Sequence, residues 1–244
     1  NEEEPDLDFW LNIRHIQVHR RVRALNRLAR NYVALSKISA QILNHCLLSI
    51  ASGFLFDKKY GKYPTAVTAA IDLIGSICLF LNWPMYETLL KQQLKLLSED
   101  RDNHKTIVRT ISTILGNFNF DLSNSESADK DANLEKLKSA EVTLVEPQIM
   151  DKEMATKIHL SIVENLLPQL HESLHRLAYA DHDHDSIRVE YQQEDEIKRI
   201  PIAIAIVKLL LNIPILPSVF EINLRSVFLR LCHFLKSRVE SIRE

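Results

Sequence analysis

The residues that read most directly as chemistry are His171, Glu172 and His175. Two imidazoles four positions apart, with Glu after the first, match the H-E-x-x-H pattern of zinc hydrolases. On a helix that spacing turns both rings toward one metal and leaves the carboxylate as base. A hydrolase needs a further ligand, and no convincing one follows. Leu170, Leu174 and Leu177 instead give this segment an apolar face that suits packing. Asp181, His182, Asp183, His184 and Asp185 alternate two good ligand types. Adjacent residues in a loop do not preorganise a tetrahedral or octahedral site, so the tract reads as an acidic loop. Cys46, Cys78 and Cys232 are isolated in apolar surroundings. Their odd number and wide spacing argue against a disulfide framework or a zinc site and favour a reducing compartment. Neither a phosphate-cradling glycine loop nor a nucleophile elbow occurs. The expectation is a chain that is not an enzyme, with no catalytic residue, no metal and no cofactor.

Arginines carry the other signal. Between Phe9 and Phe56 there is no Asp or Glu, but there are six arginines and one lysine. The six are Arg14, Arg20, Arg21, Arg23, Arg27 and Arg30, and all are candidate nucleic-acid contacts. Guanidinium groups bind phosphates bidentately and keep their charge. On a helix, Arg20, Arg23, Arg27 and Arg30 share one face and span about 15 Å, enough to meet successive phosphates. The competing readings are pairing with acids of another repeat or protein, and plain solvation. No aromatic residues interleave with the arginines, so any RNA contact would rest on shape and charge.

These residues must be positioned by helices. Hydrophobic residues make up 46% of the 244 and charged residues 25%, which is folding material and not a disordered composition. Four glycines are too few for the turns of a large β-sandwich or an α/β enzyme. No apolar run reaches the about 18 residues of a membrane span, since Lys208, Asn212 and Pro214 break the longest candidate. Helical periodicity and start signals predict helices over 8–35, 36–51, 65–81, 85–97 and 103–116. Pro64 opens the third, Asn82 caps the fourth, and Gly116 is expected just past the end of the fifth. Further helices are predicted over 155–177, with a kink at Pro168, over 201–211, and over 217–238. Residues 53–63 read as a loop with two glycines and three lysines.

The resulting organisation is a basic-edged helical region over 1–118, an acidic mobile insertion over 119–154, and a second helical region over 155–244 with an acidic loop at 179–198. Asp121 to Glu153 holds nine acids against four lysines, and Asp181 to Glu196 holds seven against one arginine. Helix pairs recur at about 40 to 47 residues, the spacing of HEAT and armadillo units. The fold class expected is all-α, a HEAT/armadillo-like solenoid of about four helix pairs, elongated, right-handed and free of β-sheet. The chain starts at Asn1 and stops within a helical pattern, which reads as a piece of a longer polypeptide.

Four segments in order carry a family resemblance. They are D-F-W-L-N-I-R-H-I-Q-V-H-R-R-V-R-A-L from Asp8 to Leu25, E-N-L-L-P-Q-L-H-E-S-L from Glu164 to Leu174, I-P-I-A-I-A-I-V-K-L-L-L-N-I-P from Ile200 to Pro214, and L-C-H-F-L-K-S-R-V-E-S-I-R from Leu231 to Arg243. Together they resemble the very large HEAT-repeat "down-regulated in metastasis" family of the small-subunit processome. The resemblance implies a nucleolar, nuclear scaffold in processing the precursor of small-subunit ribosomal RNA. It implies partners of three kinds: pre-ribosomal RNA, the U3 small nucleolar ribonucleoprotein and other processome proteins. It implies no active site, no membrane and no small-molecule substrate. His15, His19, Arg20, Arg21 and Arg23 fall in its most specific stretch. The alternative is a HEAT-repeat scaffold or transport adaptor that binds protein only.

Overall fold

The computed structural model describes residues 8–99, 103–125, 145–175, 200, 202–204, 206–207, 209–211 and 217–235. Within them the chain is almost entirely helical, as the composition requires. The order is α1 (Phe9–Ile13), α2 (Val18–Arg30), α3 (Tyr32–Ser36), α4 (Ala40–Ile42), α5 (Leu48–Phe56), α6 (Pro64–Cys78), α7 (Trp83–Glu99), α8 (His104–Gly116), α9 (Lys152–Ser161), α10 (Leu167–His175) and a last helix over Pro217–Leu235. Residues 202–204, 206–207 and 209–211 are helical as well.

α6 is the centre of the fold. It buries Ala66, Ala69, Ala70, Ile71, Leu73, Ile74, Gly75, Ser76, Ile77 and Cys78, so nearly its whole circumference is covered. Helices apolar on all sides are core helices. α6 packs against α2 on one side and α8 on the other, with α5 also against it, while α7 joins α8 to α10. Gly75 is where α8 comes closest. A Cβ there would lie 2.6 Å from Thr113 Cγ2 and 2.8 Å from Asn117 Nδ2. Arg109 of α8 reaches back to the Thr68 hydroxyl on α6 at 3.2 Å.

Several start signals act as their chemistry dictates. Pro64 occupies the first turn of α6, where its missing N–H has no intrahelical acceptor to lose. Asn82 Oδ1 accepts from the Met85 N–H at 3.2 Å at the start of α7. Asp151 Oδ1 takes the Met154 N–H at 2.8 Å and starts α9 at Lys152, three residues before the expected Ala155.

Other boundaries differ from the sequence reading. The helix expected over 8–35 is three helices. Asn31 ends α2 and caps α3, its Oδ1 accepting from the Ala34 N–H at 3.0 Å. Residues 14–17 turn the chain between α1 and α2, with the Gln17 N–H held by His15 Nδ1 at 3.1 Å. The next helix starts after Ser39, not at 36, and runs through Gly53 to Phe56, so the connection is shorter than 53–63. Gly116 is the last helical residue of α8, and Asn117 closes the helix in its place. A π-turn over Leu43–Leu47 joins α4 to α5, and another over Ile162–Leu166 joins α9 to α10. The second lies directly before Pro168. In it the Leu167 N–H bonds five residues back, to Ile162 O, which widens the turn where proline offers no donor.

The expected absence of sheet is corrected by one short parallel pair, Phe120–Asp121 with Gln148–Ile149. Side chains hold it to the core. Asn119 Nδ2 and Gln148 Nε2 both donate to Leu79 O, at 3.0 and 3.1 Å, and Gln148 Nε2 also donates to Leu81 O at 3.0 Å. These carbonyls follow the C-terminus of α6, where backbone acceptors lack helical partners. Phe120 and Leu122 are buried. Both ends of the acidic insertion therefore rest on the protein; its centre, 126–144, lies outside the described residues, as does the acidic loop 179–198. Around Phe120 the rings of Trp83, Tyr86 and Phe118 form a cluster with centroids 5.3 to 5.5 Å from its own. Among the described residues no helix is long and apolar enough to cross a membrane.

Candidate nucleic-acid interface

α2 is amphipathic because its small and apolar residues recur at helical spacing. Ala24, Leu25 and Ala29 are buried toward the core, and Val18, Val22 and Leu28 pack beside them. The opposite face carries the cations. His19, Arg23, Arg27 and Arg30 are exposed and Arg20 is half-buried at the edge. Arg14 is exposed at the C-terminus of α1. Arg14, Arg23 and Arg30 make no side-chain hydrogen bond or ion pair with another described residue, whereas Arg20 and Arg27 each have a partner. At its C-terminal end α2 places Arg27 and Arg30, where positive charge complements the helix dipole.

Arg21 does not share that face. At about 100° per residue it is displaced by about 160° from Arg23. It is half-buried; its Nε donates to His15 O at 2.5 Å, and its Nη1 donates to the Tyr60 hydroxyl. Its guanidinium carbon lies 6.0 Å from the centre of the Tyr60 ring. Five of the six candidate arginines are thus directed outward or to the rim, and the sixth is tied into the fold. The link to Tyr60 spans 39 positions, so no local pattern could have revealed it.

The other sequence candidates separate in the same way. His171 is half-buried and its Nε2 is 2.8 Å from Asn223 Oδ1, which ties α10 to the Pro217–Leu235 helix. A ring nitrogen engaged across a helix interface has a structural use. The His175 side chain and the tract 181–185 lie outside the described residues. Cys78 is fully buried, and burial pushes its thiol up; Cys46 and Cys232 are half-buried. The described residues contain no cluster of three or more His, Cys, Asp or Glu placed to hold a metal ion.

Comparison with known proteins supplies the family context. Residues 190–244 match the family model described as the U3 small nucleolar RNA-associated protein 20 domain. Over 239 residues, 97% of the chain, the sequence is 25% identical to the U3 small nucleolar RNA-associated protein 20 of Schizosaccharomyces pombe, of which it spans 9%. Over 110 residues, 44% of the chain, it is 28% identical to the protein of the same name from Saccharomyces cerevisiae, and that match covers 4% of the yeast protein. The resemblance carried by the Asp8–Leu25 and Ile200–Pro214 segments therefore holds as a similarity: the chain aligns with a short stretch of the Schizosaccharomyces pombe U3 small nucleolar RNA-associated protein 20, and its residues 190–244 match the domain model described by that name.

Proposed function

We infer that this chain is a helical-repeat scaffold module of a ribosome-assembly factor, acting in small-subunit (18S) pre-rRNA processing within the processome, in the nucleolus. The observation that carries the reading is similarity along 97% of the chain to a protein named for its association with U3 small nucleolar RNA. The module works by binding, not by catalysis. Its partners are pre-ribosomal RNA, the U3 ribonucleoprotein and neighbouring processome proteins. The cationic face of α2 supports the RNA part of this reading, because exposed arginines at helical spacing suit a row of phosphates.

The test is a salt titration of binding to structured RNA. Each phosphate contact adds about 0.7 to 0.9 to the slope of log affinity against log salt. Changing Arg20, Arg23, Arg27 and Arg30 to Gln flattens the slope by roughly 3 units if all four engage. Gln is nearly as good a helix former as Arg, so α2 persists. Equal slopes for two folded proteins would remove this face from RNA and assign it to a protein partner.

A further inference from the structure

Tyr60 is buried and stacked on Phe54, with ring centroids 4.3 Å apart, so it is a fixed post. Two cations approach it. The Arg21 guanidinium carbon is 6.0 Å from the ring centre and Lys59 Nζ is 4.9 Å from it. Arg21 also donates to the Tyr60 hydroxyl and to His15 O. These contacts hold the 3-10 turn Lys58–Tyr60 against the first turns of α2. Lys58, Lys59 and Lys62 are exposed on or beside that turn. Lys59 is paired with Asp57 at 2.6 Å. Lys58 and Lys62 make no side-chain hydrogen bond or ion pair with another described residue.

We propose that the basic surface has two limbs, the arginine face of α2 and the lysine turn at 58–62, joined by the Arg21–Tyr60 brace, and that both limbs engage the phosphate backbone of folded RNA. This rests on the RNA reading of α2; it adds Lys58 and Lys62 as contacts and makes Arg21 a positioning residue. A single helix edge follows one line of phosphates. A second cationic element, fixed from a different part of the chain, suits a folded RNA that presents phosphates on two strands. Charge complementarity favours RNA over protein here. Protein interfaces are built on apolar or aromatic anchors ringed by polar groups. Over residues 14–30 and 57–62, Ile16 is the one large apolar side chain that is exposed. Trp10, Leu11, Val33 and Tyr63 are exposed just outside these spans, so it is the density of cations in the two limbs, and not a lack of apolar surface around them, that favours RNA.

The experiment uses the whole 244-residue chain and a synthetic RNA hairpin. Lys58→Gln with Lys62→Gln flattens the salt slope by about 1.5 units. Tyr60→Phe keeps every charge but removes the acceptor for Arg21. It therefore lowers affinity by roughly threefold to tenfold at fixed salt and leaves the slope unchanged. Circular dichroism and thermal melts confirm that each variant is folded. If the fourfold arginine variant flattens the slope and the double lysine variant does not, the second limb is refuted while the RNA reading of α2 stands. Unaltered affinity in folded Tyr60→Phe refutes the positioning role. If wild-type protein fails to bind the hairpin, or neither charge variant moves the slope, the RNA reading fails and this inference fails with it.

Discussion

Two glycines illustrate how the same residue type answers to different constraints. Gly75 sits under α8, and a methyl group there would collide with Thr113 and Asn117. Gly75→Ala therefore destabilises by roughly 1 to 3 kcal/mol, seen as a lowered urea midpoint. Gly53 is exposed within α5, and a Cβ there meets nothing within 4 Å. Gly53→Ala accordingly stabilises by about 0.5 to 1 kcal/mol in the same assay. Tyr86 presents a third case. Its hydroxyl, buried in the aromatic cluster, donates to Ile114 O at 2.9 Å near the end of α8. Tyr86→Phe costs about 0.5 to 1.5 kcal/mol, at the low end because that carbonyl keeps the Asn117 N–H at 3.1 Å.

The helices themselves were legible wherever the signal was local. Pro64 and Asn82 act within one turn of the chain, and the structure uses both as their chemistry requires. Asp151→Ala tests this logic at α9. It should cost about 1 kcal/mol of stability by removing the acceptor for the Met154 N–H. Signals that depend on distant partners were not legible. Apolar periodicity runs smoothly through 8–35 and says nothing of the turn at 14–17, which Arg21 braces through His15 O while its other end is fixed on Tyr60, 39 positions further along the chain. Helical spacing placed Arg20, Arg23, Arg27 and Arg30 on one face of α2, and in the structure three of them are exposed with Arg20 at the edge. Arg21, a candidate on charge, lies off that face by its angular position and is held to His15 and Tyr60. The π-turns escaped for another reason: Leu43–Leu47 has no proline or glycine to mark it.

At the scale of the molecule, α6 holds α2 and α8 together, while α7 packs against α8 and α10 and reaches α9 through a hydrogen bond. Glu87 of α7 makes that bond. Its Oε1 accepts from the Ser161 hydroxyl at 2.6 Å and pairs with Lys91 at 2.8 Å. His159 lies buried on α9, and its Nδ1 has no hydrogen-bond partner among the described residues. Burial holds its pKa below the ordinary histidine value of 6.5. The unfolded chain therefore binds a proton that the folded chain resists as pH falls below that value. Stability is full above it and declines with acidification toward the lower folded pKa. Denaturation midpoints at pH about 7.5 and about 5.5 should differ by less in His159→Leu than in the wild type, since the variant lacks this coupling.

The pinning of Asn119 and Gln148 to the carbonyls after α6 has a practical consequence. The two stems it fixes, Phe120 and Gln148, are adjacent partners in the parallel pair. Their contacts are made by described residues on either side, so an insert placed after Ser125 leaves both ends pinned. For an insert that is itself a flexible linker, doubling its length costs only about 0.6 kcal/mol. The position after Ser125 is thus a port for engineering. A fluorescent domain or affinity handle grafted there, on flexible linkers, should leave the melting temperature of the helical body within a few degrees of its starting value.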